Sequence, residues 1–287
     1  MDVSIVIVNH NTRDLLSACI DSIYRNTFGC TFEIIVVDNA STDESETCIK
    51  EHYPLVIWIN TGANLGFGRA NNRGVQSATG KYIFLLNSDT ILCNDAISIF
   101  FIYAEEHSDE KIGILGSWLL NRAHHINASY GEFPSPKSEI TYLFGKLRSE
   151  KESISELIDR NVDYIIGADM FLRKDLFLQY RGFDPNFFMY YEETDLQYRM
   201  AKTGYIRRII IGPQIIHLEG GSFGSNGLTL NRFIMAQRSY NYYLKKHFRG
   251  IKYLYYKGAL CIMRLTVFLT TNWSFKDKIK AYCEVWK

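Results

Sequence analysis

The chain has 287 residues, of which 47% are hydrophobic and 14% aromatic, enough for a sizeable core in one large domain or in one domain with an appendage. Its formal net charge of +1 provides no overall basic field, so nucleic acid is not expected as a partner. Six cysteines occur without a CxxC pair, which argues against a zinc knot or a disulfide framework and for reduced thiols in the cytoplasm. The N-terminus enters an apolar strand directly, without the basic and long apolar regions of a secretion signal.

The first half of the sequence alternates short apolar strands with amphipathic helices. Strands are expected at 3–8, 33–37, 55–59 and 81–86, and helices include 69–78 and 96–106. Ser41-Thr42-Asp43-Glu44 has the pattern of a capping box before the second helix. Repeated strand–helix–strand order with short links predicts an α/β fold with a mostly parallel central sheet flanked by helices.

Two aspartates directly follow apolar strands. Asp38 follows Ile34-Ile35-Val36-Val37, and Asp89 closes the segment Asn87-Ser88-Asp89 after the strand at 81–86. In an open α/β sheet, ligands bind outside the carboxyl ends of the strands, where both carboxylates are expected. The pair therefore suggests a nucleotide-diphosphate site, with Asp89 as a ligand for a hard metal ion. The alternative is that each aspartate caps the helix that follows it.

The second half of the sequence is less regular. Residues 121–160 are polar, with a helix expected over 153–159, and a strand at 162–166 leads into Gly167-Ala168-Asp169. An aromatic run then precedes three carboxylates, Glu192, Glu193 and Asp195. At 100° per helical residue Glu193 lies well away from Asp195, so the three acids are not expected to share one role. Asp195 is placed to form a helix-surface ion pair with Arg199, one turn later.

Glu193 is the candidate for acid–base chemistry. A carboxylate beside an aromatic cluster is partly desolvated and is crowded by neighbouring negative charge, and both effects raise its pKa toward the range useful for removing a proton from a sugar hydroxyl. The alternative is that acidic residues at this helix start only complement the helix dipole.

His217 follows strands expected at 205–211 and 214–216 and precedes a glycine-rich segment. A histidine at that point can offer a ring nitrogen to a metal held on its other side by Asp89. The alternative is a purely structural histidine. Residues 220–230, with four glycines and few apolar anchors, are expected to form a loop that closes over bound ligand.

Taken together, these segments resemble the family 2 glycosyltransferases with the GT-A fold, in particular their rhamnosyltransferase-like members. Each piece alone is weak, but six occur in the family's order over about residues 1–225. The matching pieces are Val3-Ser4-Ile5-Val6-Ile7-Val8-Asn9-His10-Asn11, Val36-Val37-Asp38-Asn39-Ala40-Ser41-Thr42-Asp43, Asn64-Leu65-Gly66-Phe67-Gly68-Arg69-Ala70-Asn71-Asn72, Leu85-Leu86-Asn87-Ser88-Asp89, Gly182-Phe183-Asp184 through Arg199, and His217 with Gly220-Gly221-Ser222.

The resemblance implies an enzyme that moves a sugar from a nucleotide-diphosphate donor to an acceptor hydroxyl, with inversion at the anomeric carbon. It implies Glu193 as the catalytic base, Asp89 and His217 as ligands of a magnesium or manganese ion, and Asp169 and Glu192 as neighbours of the donor sugar and acceptor. The donor nucleotide is then expected to contact a larger set of residues: Asn9, Asn11, Asp38, Asn64, Gly66, Arg69 and Ser88.

Two positions depart from the family's pattern. The metal motif often begins with Asp, whereas here Asn87 supplies a neutral amide, which weakens metal binding or makes it depend more on His217. The base position often carries Asp, and Glu193 is one methylene longer. Both variants keep the chemistry possible.

We expect a GT-A catalytic domain at 1–225, with a nucleotide-binding half at about 1–110 and an acceptor-binding half at about 111–225, followed by a helical extension at 226–287. In that extension, basic residues interleave with aromatic ones such as Tyr240, Tyr243 and Phe248. Residues 232–271 are therefore expected to make peripheral contact with the inner face of the cell membrane. The resemblance implies a glycan or lipid-linked acceptor of cell-surface polysaccharide synthesis, for which such a position is useful. The alternative is that these are ordinary C-terminal helices packed on the catalytic domain.

Three other functions compete with glycosyl transfer. A sugar-nucleotide pyrophosphorylase needs a glycine-rich, Arg-bearing phosphate loop where this chain has Asn9-His10-Asn11-Thr12. A dinucleotide oxidoreductase needs a third glycine where Asn71 stands. A non-catalytic carbohydrate- or nucleotide-sugar-binding protein tolerates Asn87, but it gives no reason for Glu193, Asp89 and His217 to stand where they do.

Overall fold

The computed structural model describes residues 1–138, 157–218 and 229–287. Its first half is the predicted alternation of strands and helices. In chain order the elements are β1 (Val3–Asn9), α1 (Arg13–Asn26), β2 (Phe32–Asp38), α2 (Ser45–His52), β3 (Ile57–Asn60), α3 (Phe67–Ser77), β4 (Tyr82–Asn87), β5 (Thr90–Leu92) and α4 (Ala96–Glu106). The predicted strands and helices of this half are therefore confirmed to within a few residues at each end.

The remaining described elements are shorter until the C-terminal helices begin. They are β6 (Ile112–Ser117), β7 (Tyr130–Gly131), β8 (Arg160–Val162), β9 (Tyr164–Ile165), β10 (Asp169–Arg173), α5 (Lys174–Gln179), α6 (Glu192–Ala201), β11 (Ile206–Ile210), β12 (Ile215–His217), α7 (Leu230–His247), α8 (Gly250–Met263), α9 (Val267–Thr270) and α10 (Phe275–Trp286).

Eight strands form the main sheet in the order β3-β2-β1-β4-β10-β6-β11-β8. Strands β1 to β4 are mutually parallel where they pair, whereas β10 runs antiparallel between β4 and β6. Two antiparallel ribbons, β12 with β5 and β7 with β9, complete the described strands. The sheet is mostly parallel in its first half, as predicted.

Both faces of the parallel half are covered, which explains why its strands are continuous apolar runs. Alternate residues of each strand point to opposite faces, so one strand supplies two cores. In β1, Ile5 and Ile7 join the core that contains α1 and α4, while Val6 joins the core that contains Phe177 and Leu196 from α5 and α6. Because both of its faces are buried, the sheet is a rigid support for the side chains at its edge.

Several local expectations were wrong. The strand predicted at 162–166 is two short strands, β8 and β9. The predicted capping box does not form, because α2 begins after Glu44 in a left-handed conformation and without a side-chain cap. Most of the helix expected over 153–159, and nearly all of the loop expected at 220–230, lie outside the described residues.

The C-terminal helices form a third core cluster, which also contains residues of α6 and of the segment before it. Tyr240, Tyr243 and Phe248 are buried there, and Phe187 and Tyr191 from the segment before α6 pack in the same cluster. These rings are therefore core residues, as the alternative of packed C-terminal helices requires, and they are not available to a membrane surface. Among the described residues, no helix is both long enough and apolar enough to span a bilayer.

Asp195 connects the third core cluster to α6, and the prediction of a surface ion pair was wrong about its burial. The Arg199 pair forms, with Nε 2.9 Å from Asp195 Oδ2, but the aspartate is completely buried. Lys246 Nζ and His247 Nε2, both on α7, each lie 2.7 Å from Asp195 Oδ1. Burial acts to raise the pKa of Asp195, but the hydrogen bond with His247 and the charges of Arg199 and Lys246 outweigh it and hold the pKa below its ordinary value.

We predict that Asp195→Ala lowers the free energy of unfolding by about 3–5 kcal/mol, because it removes the buried carboxylate that Arg199, Lys246 and His247 share and leaves Lys246 with Asp184 alone. The matched control is Asp14→Ala, which removes the exposed Arg13–Asp14 pair and should cost less than about 1 kcal/mol. Urea denaturation at neutral pH measures both variants. Equal losses for the two variants would contradict a structural role for the buried cluster.

Candidate active site

The strand register aligns polar side chains at one edge of the sheet. Asn9 is opposite Asp38 in the β1–β2 pair, and Val8 is opposite Asn87 in the β1–β4 pair. Asn9 Nδ2 donates to Asp38 Oδ1 at 2.9 Å, and the Ser41 amide donates to Asp38 Oδ2 at 3.1 Å. Asn9 is fully buried and Asp38 nearly so. Asn9 therefore lies beneath Asp38 and fixes the orientation of its carboxylate.

Thr12 joins this network to the strand that carries the aspartate motif. Its Oγ1 lies 2.7 Å from Asn9 Oδ1 and 2.9 Å from Ser88 Oγ. Thr12 and Ser88 are both buried. One chain of hydrogen bonds thus runs along the ends of three neighbouring strands, from Asp38 through Asn9 and Thr12 to Ser88.

Asn11 lies at the outer side of this network and is exposed. It has a φ of +56°, its amide donates to Ser41 Oγ at 2.9 Å, and its Oδ1 accepts from the Thr42 amide at 2.8 Å. A concavity of about 460 Å³ opens beside it; its lining residues are Asn11, Thr12, Arg13, Asp14, Leu15, Thr42, Asp43 and Glu44. Asn11 is therefore at the rim of a cavity next to the ends of β1 and β2.

The loop before α3 is held by Asn39, a residue whose role was not predicted. Asn39 Oδ1 accepts from the Leu65 amide at 2.8 Å, and its Nδ2 donates to Asn64 Oδ1 at 3.0 Å. Arg69, in the first turn of α3, donates from Nε to the Pro185 carbonyl. The predicted nucleotide loop is thus fixed on one side to β2 and on the other to the segment that leads to α6.

Gly66 is the point of closest approach in this loop. Its φ of 81° and ψ of 173° lie in a region that is essentially restricted to glycine. A Cβ atom at this position would lie 1.9 Å from the Phe188 carbonyl oxygen, and the Phe67 amide donates to that same oxygen at 3.2 Å. The start of α3 therefore packs directly on the turn that precedes Glu192.

Asp89 and His217 lie together, as predicted, although 128 positions separate them in the sequence. The β5–β12 ribbon places His217 opposite Thr90, so the histidine is brought beside the residue before Thr90. His217 Nε2 is 3.3 Å from Asp89 Oδ1 and 3.5 Å from Asn87 Nδ2. Both ribbon strands have three residues, and their Leu92 and Ile215 side chains are buried in the core that contains α1 and α4.

The donor set fits a hard divalent ion in part. Two ligands of an octahedral Mg²⁺ at adjacent positions stand about 3 Å apart, close to the Asp89–His217 separation. Among the described residues, no group of three or more His, Cys, Asp and Glu side chains is placed to hold a metal ion. A cation at Asp89 and His217 would thus need further oxygen ligands from a substrate and from water, which is the usual manner of magnesium binding at phosphates.

Glu192 and Glu193 open helix α6 after an unusual turn. Tyr190 and Tyr191, immediately before them, have φ values of +69° and +68°, a conformation that non-glycine residues rarely adopt. Such a turn persists only where its surroundings hold it, and here the third core cluster does so through a stack between Tyr191 and Tyr240. The two carboxylates are thereby held at a fixed helix start.

The two carboxylates differ in exposure. Glu192 is buried, and burial together with the charge of Glu193 raises its pKa well above the ordinary value. Glu193 is half-buried, and desolvation raises its pKa to about 6. A carboxylate with such a pKa that still reaches solvent can accept a proton near neutral pH.

Asp169 lies beneath the same edge. It is opposite Leu86 in the β4–β10 pair and is completely buried. Its Oδ2 accepts from the Ser117 amide at 2.7 Å and from Ser117 Oγ at 2.6 Å, while its Oδ1 has no hydrogen-bond partner within the described ranges. Burial raises the pKa of Asp169 to about 7.

The fold and this edge together define a GT-A type sugar transferase: a parallel first half, a mixed second half, and an acid–imidazole pair where the two meet. Residues 4–177 match the family described as Glycosyl transferase family 2. The chain belongs to this family, and the predicted resemblance is confirmed.

The chain is similar to characterised rhamnosyltransferases. It is 30% identical over 215 residues to rhamnosyltransferase WbbL of Escherichia coli (strain K12), covering 70% of this chain and 78% of that protein. It is 24% identical over 216 residues to the N-acetylglucosaminyl-diphospho-decaprenol L-rhamnosyltransferase of Mycobacterium tuberculosis (strain ATCC 25618 / H37Rv), covering 67% of this chain and 68% of that protein.

Solved structures share the fold at low sequence identity. S. aureus TarS 1-349 in complex with UDP matches with a TM-score of 0.58 at 13% identity, over 98% of this chain and 81% of that one. GalNAc-T7 with UDP, GalNAc and Mn²⁺ matches with a TM-score of 0.58 at 16% identity, over 83% of this chain. The match covers 47% of the GalNAc-T7 chain, so this chain spans about half its length.

We predict that Gly66→Ala destabilises the protein more than Gly62→Ala. Both glycines have positive φ, where the strain of an alanine costs about 1–3 kcal/mol, and the φ and ψ of Gly66 lie in a region essentially restricted to glycine. A Cβ at position 62 meets no atom within 4 Å, whereas at position 66 it meets the Phe188 carbonyl, which should add about 1–3 kcal/mol. Urea denaturation of both variants measures the additional cost at position 66, which combines its backbone conformation with the close approach. Equal losses would show that the contact between the loop and Phe188 is not tight in solution.

Proposed function

We propose that this glycosyltransferase moves a sugar from a nucleotide-diphosphate donor to an acceptor hydroxyl with inversion of the anomeric configuration, and that the reaction depends on magnesium or manganese. The observation that carries the proposal is the junction of Asp89 and His217, 3.3 Å apart, at the same sheet edge as Asp38. That edge is where an open α/β sheet binds its nucleotide.

The donor nucleotide is proposed to lie across the ends of β1 and β2. Asp38, oriented by Asn9, would contact the base or ribose, and Asn11 would border the base at the rim of the adjoining concavity. The loop carrying Asn64 and Gly66 would line the other side, with further contacts from Arg69 and Ser88. Support comes from the hydrogen bonds that hold these segments in place.

Asp89 and His217 are the residues proposed to hold the divalent cation. Bound there, it would supply Lewis-acid stabilisation of the charge that develops on the leaving diphosphate. Asn87 adds no negative charge to this site. With only one carboxylate at the site, His217 would contribute a larger share of the metal-binding free energy than it would beside a pair of acids.

Glu193 is proposed as the base that removes the acceptor proton while the acceptor oxygen attacks from the face opposite the diphosphate. Its raised pKa and its fixed place at the start of α6 support this role. Glu192 and Asp169 are proposed to border the donor sugar and acceptor from beneath the surface. Burial raises the pKa of both carboxyls, and Asp169, with a pKa of about 7, is partly protonated near neutral pH, so it can donate as well as accept a hydrogen bond.

The relatives suggest the substrate class. Two of them are named as rhamnosyltransferases, and one of those acts on an N-acetylglucosaminyl-diphospho-decaprenol. We infer a rhamnosyl or hexosyl donor, a glycan or lipid-linked acceptor, and a place in cell-surface polysaccharide synthesis. Such an acceptor is reached from the cytoplasm at the inner face of the membrane, with the chain in peripheral contact through part of 232–271.

A non-catalytic sugar-nucleotide-binding protein is the second candidate. It accounts for Asn87 and for the same nucleotide edge, but it requires no carboxylate with a raised pKa at position 193. Acceptor-dependent release of nucleoside diphosphate separates the two, because a binding protein releases none.

We predict that Glu193→Gln lowers kcat about 10²–10⁴-fold, the usual contribution of a general base, with little change in donor affinity. In the native protein kcat/KM should fall about tenfold per pH unit below about pH 6, because the base with a pKa of about 6 must be deprotonated, and should level off above it. Initial rates of nucleoside diphosphate release with acceptor measure both.

Two further results control this test of the base. Glu193→Asp retains a carboxylate and should recover most of the lost rate, which a merely structural residue would not explain. An unchanged rate in Glu193→Gln, or an acid limb that persists in that variant, would exclude Glu193 as the base.

We predict that Asp89→Asn and His217→Ala each weaken Mn²⁺ binding by about 10–100-fold in the presence of nucleoside diphosphate, because each removes one of two protein ligands. The exposed residues Asp109 and His125 provide matched controls, Asp109→Asn and His125→Ala, which should bind like the native protein. Electron paramagnetic resonance of free Mn²⁺ gives the affinities without reference to activity. Native affinity in both site variants would refute the assignment.

A further inference from the structure

Helix α8 presents an apolar face to solvent. Ile251, Leu254, Tyr255 and Ile262 follow helical spacing, and at 100° per residue they fall within about 100° of one another around the axis. The helix continues through a 3₁₀ turn, which carries Leu265, into α9, which carries Leu269, and both residues extend the same spacing. We call these six residues the outer apolar face; their exposed fractions are Ile251 86%, Leu254 67%, Tyr255 64%, Ile262 70%, Leu265 48% and Leu269 87%.

The opposite side of α8 is also apolar. Leu260, Cys261 and Met263 are buried in or beside the third core cluster. A helix on the surface of a protein in water normally shows a polar outer side, and a helix that is apolar all round is normally covered on all sides. The outer apolar face runs for about 27 Å along the helix at 1.5 Å per residue, far more than scattered exposed side chains require. We therefore expect another surface to cover the outer apolar face.

The charge around this face identifies what covers it. Residues 229–276 contain no acidic residue, and residues 229–287 contain 12 Lys and Arg against only Asp277 and Glu284. The first 228 residues contain 20 Lys and Arg against 29 Asp and Glu. Arg249 and Lys252, both exposed, stand at the margin of the outer apolar face. The charge of the chain is thus sharply divided, and the outer apolar face lies in the basic part.

We propose that the outer apolar face docks on an anionic lipid surface, with α8 and α9 lying in the plane of the interface. Apolar side chains insert between headgroups while the surrounding cations meet anionic lipid. A second copy of the chain is a poorer occupant, because pairing two such faces brings two strongly basic regions together. This inference rests on the proposed function in one respect: a lipid-linked acceptor gives the docking its purpose.

The contacts of α7 connect this docking surface to the reaction site. Ser239 Oγ donates to the Met189 carbonyl at 2.7 Å, and Tyr240 stacks on Tyr191 with ring centroids 5.0 Å apart. These contacts hold the turn that precedes Glu192 and Glu193. A docked chain would thus keep its proposed base at a fixed distance from the lipid headgroups.

Vesicle co-sedimentation of the full chain tests the proposal. The native protein should bind vesicles of phosphatidylcholine containing one third phosphatidylglycerol at least about tenfold more tightly than pure phosphatidylcholine, and more weakly as salt is raised. The triple variant Leu254→Ser, Ile262→Ser, Leu269→Ser should lose binding at least about tenfold, since each replacement removes apolar surface from the interface. These side chains are exposed, so the variant should keep the native Tm.

A matched control uses exposed apolar residues of the catalytic part. Phe28, Leu55 and Leu178 are 77%, 81% and 51% exposed, and their combined replacement by Ser should leave vesicle binding unchanged. Equal losses in the two triple variants, or no preference for anionic vesicles, would overturn the proposal. So would a native dimer in sedimentation equilibrium that the outer-face variant dissociates, because a second copy would then be the occupant.

The docking proposal and the proposed function fail separately. Release of nucleoside diphosphate is measured without vesicles, with a water-soluble glycan acceptor, and vesicle binding is measured without donor. Absence of vesicle binding in a chain that still releases nucleoside diphosphate overturns the docking alone. Vesicle binding without any such release supports the docking and contradicts the proposed catalysis.

Discussion

The parallel pairing of β1 with β2 and β4 is the constraint on which the rest of the site depends. Because all three strands end at one edge, Asn9, Asp38 and Asn87 lie there together, and a buried hydrogen-bond network joins Asp38 through Asn9 and Thr12 to Ser88, the residue after Asn87. Buried polar groups are costly unless they are satisfied, so this network is stable in one arrangement only. A one-residue slip of β1 would turn Asn9 toward the apolar core and leave Asp38 without its main donor. The sheet register is therefore what specifies the geometry of the site.

The parts of this structure that could be predicted are those that local sequence patterns determine. Apolar runs placed β1 to β4, and acids directly after two of them placed Asp38 and Asp89 at the edge. The meeting of Asp89 with His217 was predicted from the positions of both at strand ends, and the resemblance to a family supplied their common role. The antiparallel insertion of β10 between β4 and β6 was not predicted, because strand order in a sheet is a long-range property that periodicity does not encode.

The residues that were not predicted, or were predicted in the wrong environment, show the same limit. Asn39 and Thr12 are small polar residues in turns, and nothing in their own sequence distinguishes a residue that holds a binding loop from one that faces solvent; only their partners do. Asp195 was taken for a surface residue because an acid four positions before an arginine is typical of an exposed helix face. Its burial is imposed by α7, whose Lys246 and His247 come about fifty residues later. Tyr240 and Tyr243 were expected at a membrane surface, but they are buried. Their own sequence does not distinguish the two environments, because the ring of a tyrosine suits both a core and a membrane surface.

The division of charge between the acidic first 228 residues and the basic C-terminal residues affects how an anionic donor can be bound. The first 228 residues contain nine more acidic than basic side chains, so the field of the catalytic part opposes the approach of a nucleotide diphosphate. The cationic residue nearest the predicted nucleotide loop, Arg69, has its Nε engaged by the Pro185 carbonyl. Neutralisation of the proposed diphosphate would therefore need local donors and a divalent ion, which is the physical argument for the proposed cation at Asp89 and His217 even though Asn87 supplies no charge. The same division gives the C-terminal helices an excess of basic residues, and the proposed docking on an anionic lipid surface depends on that excess.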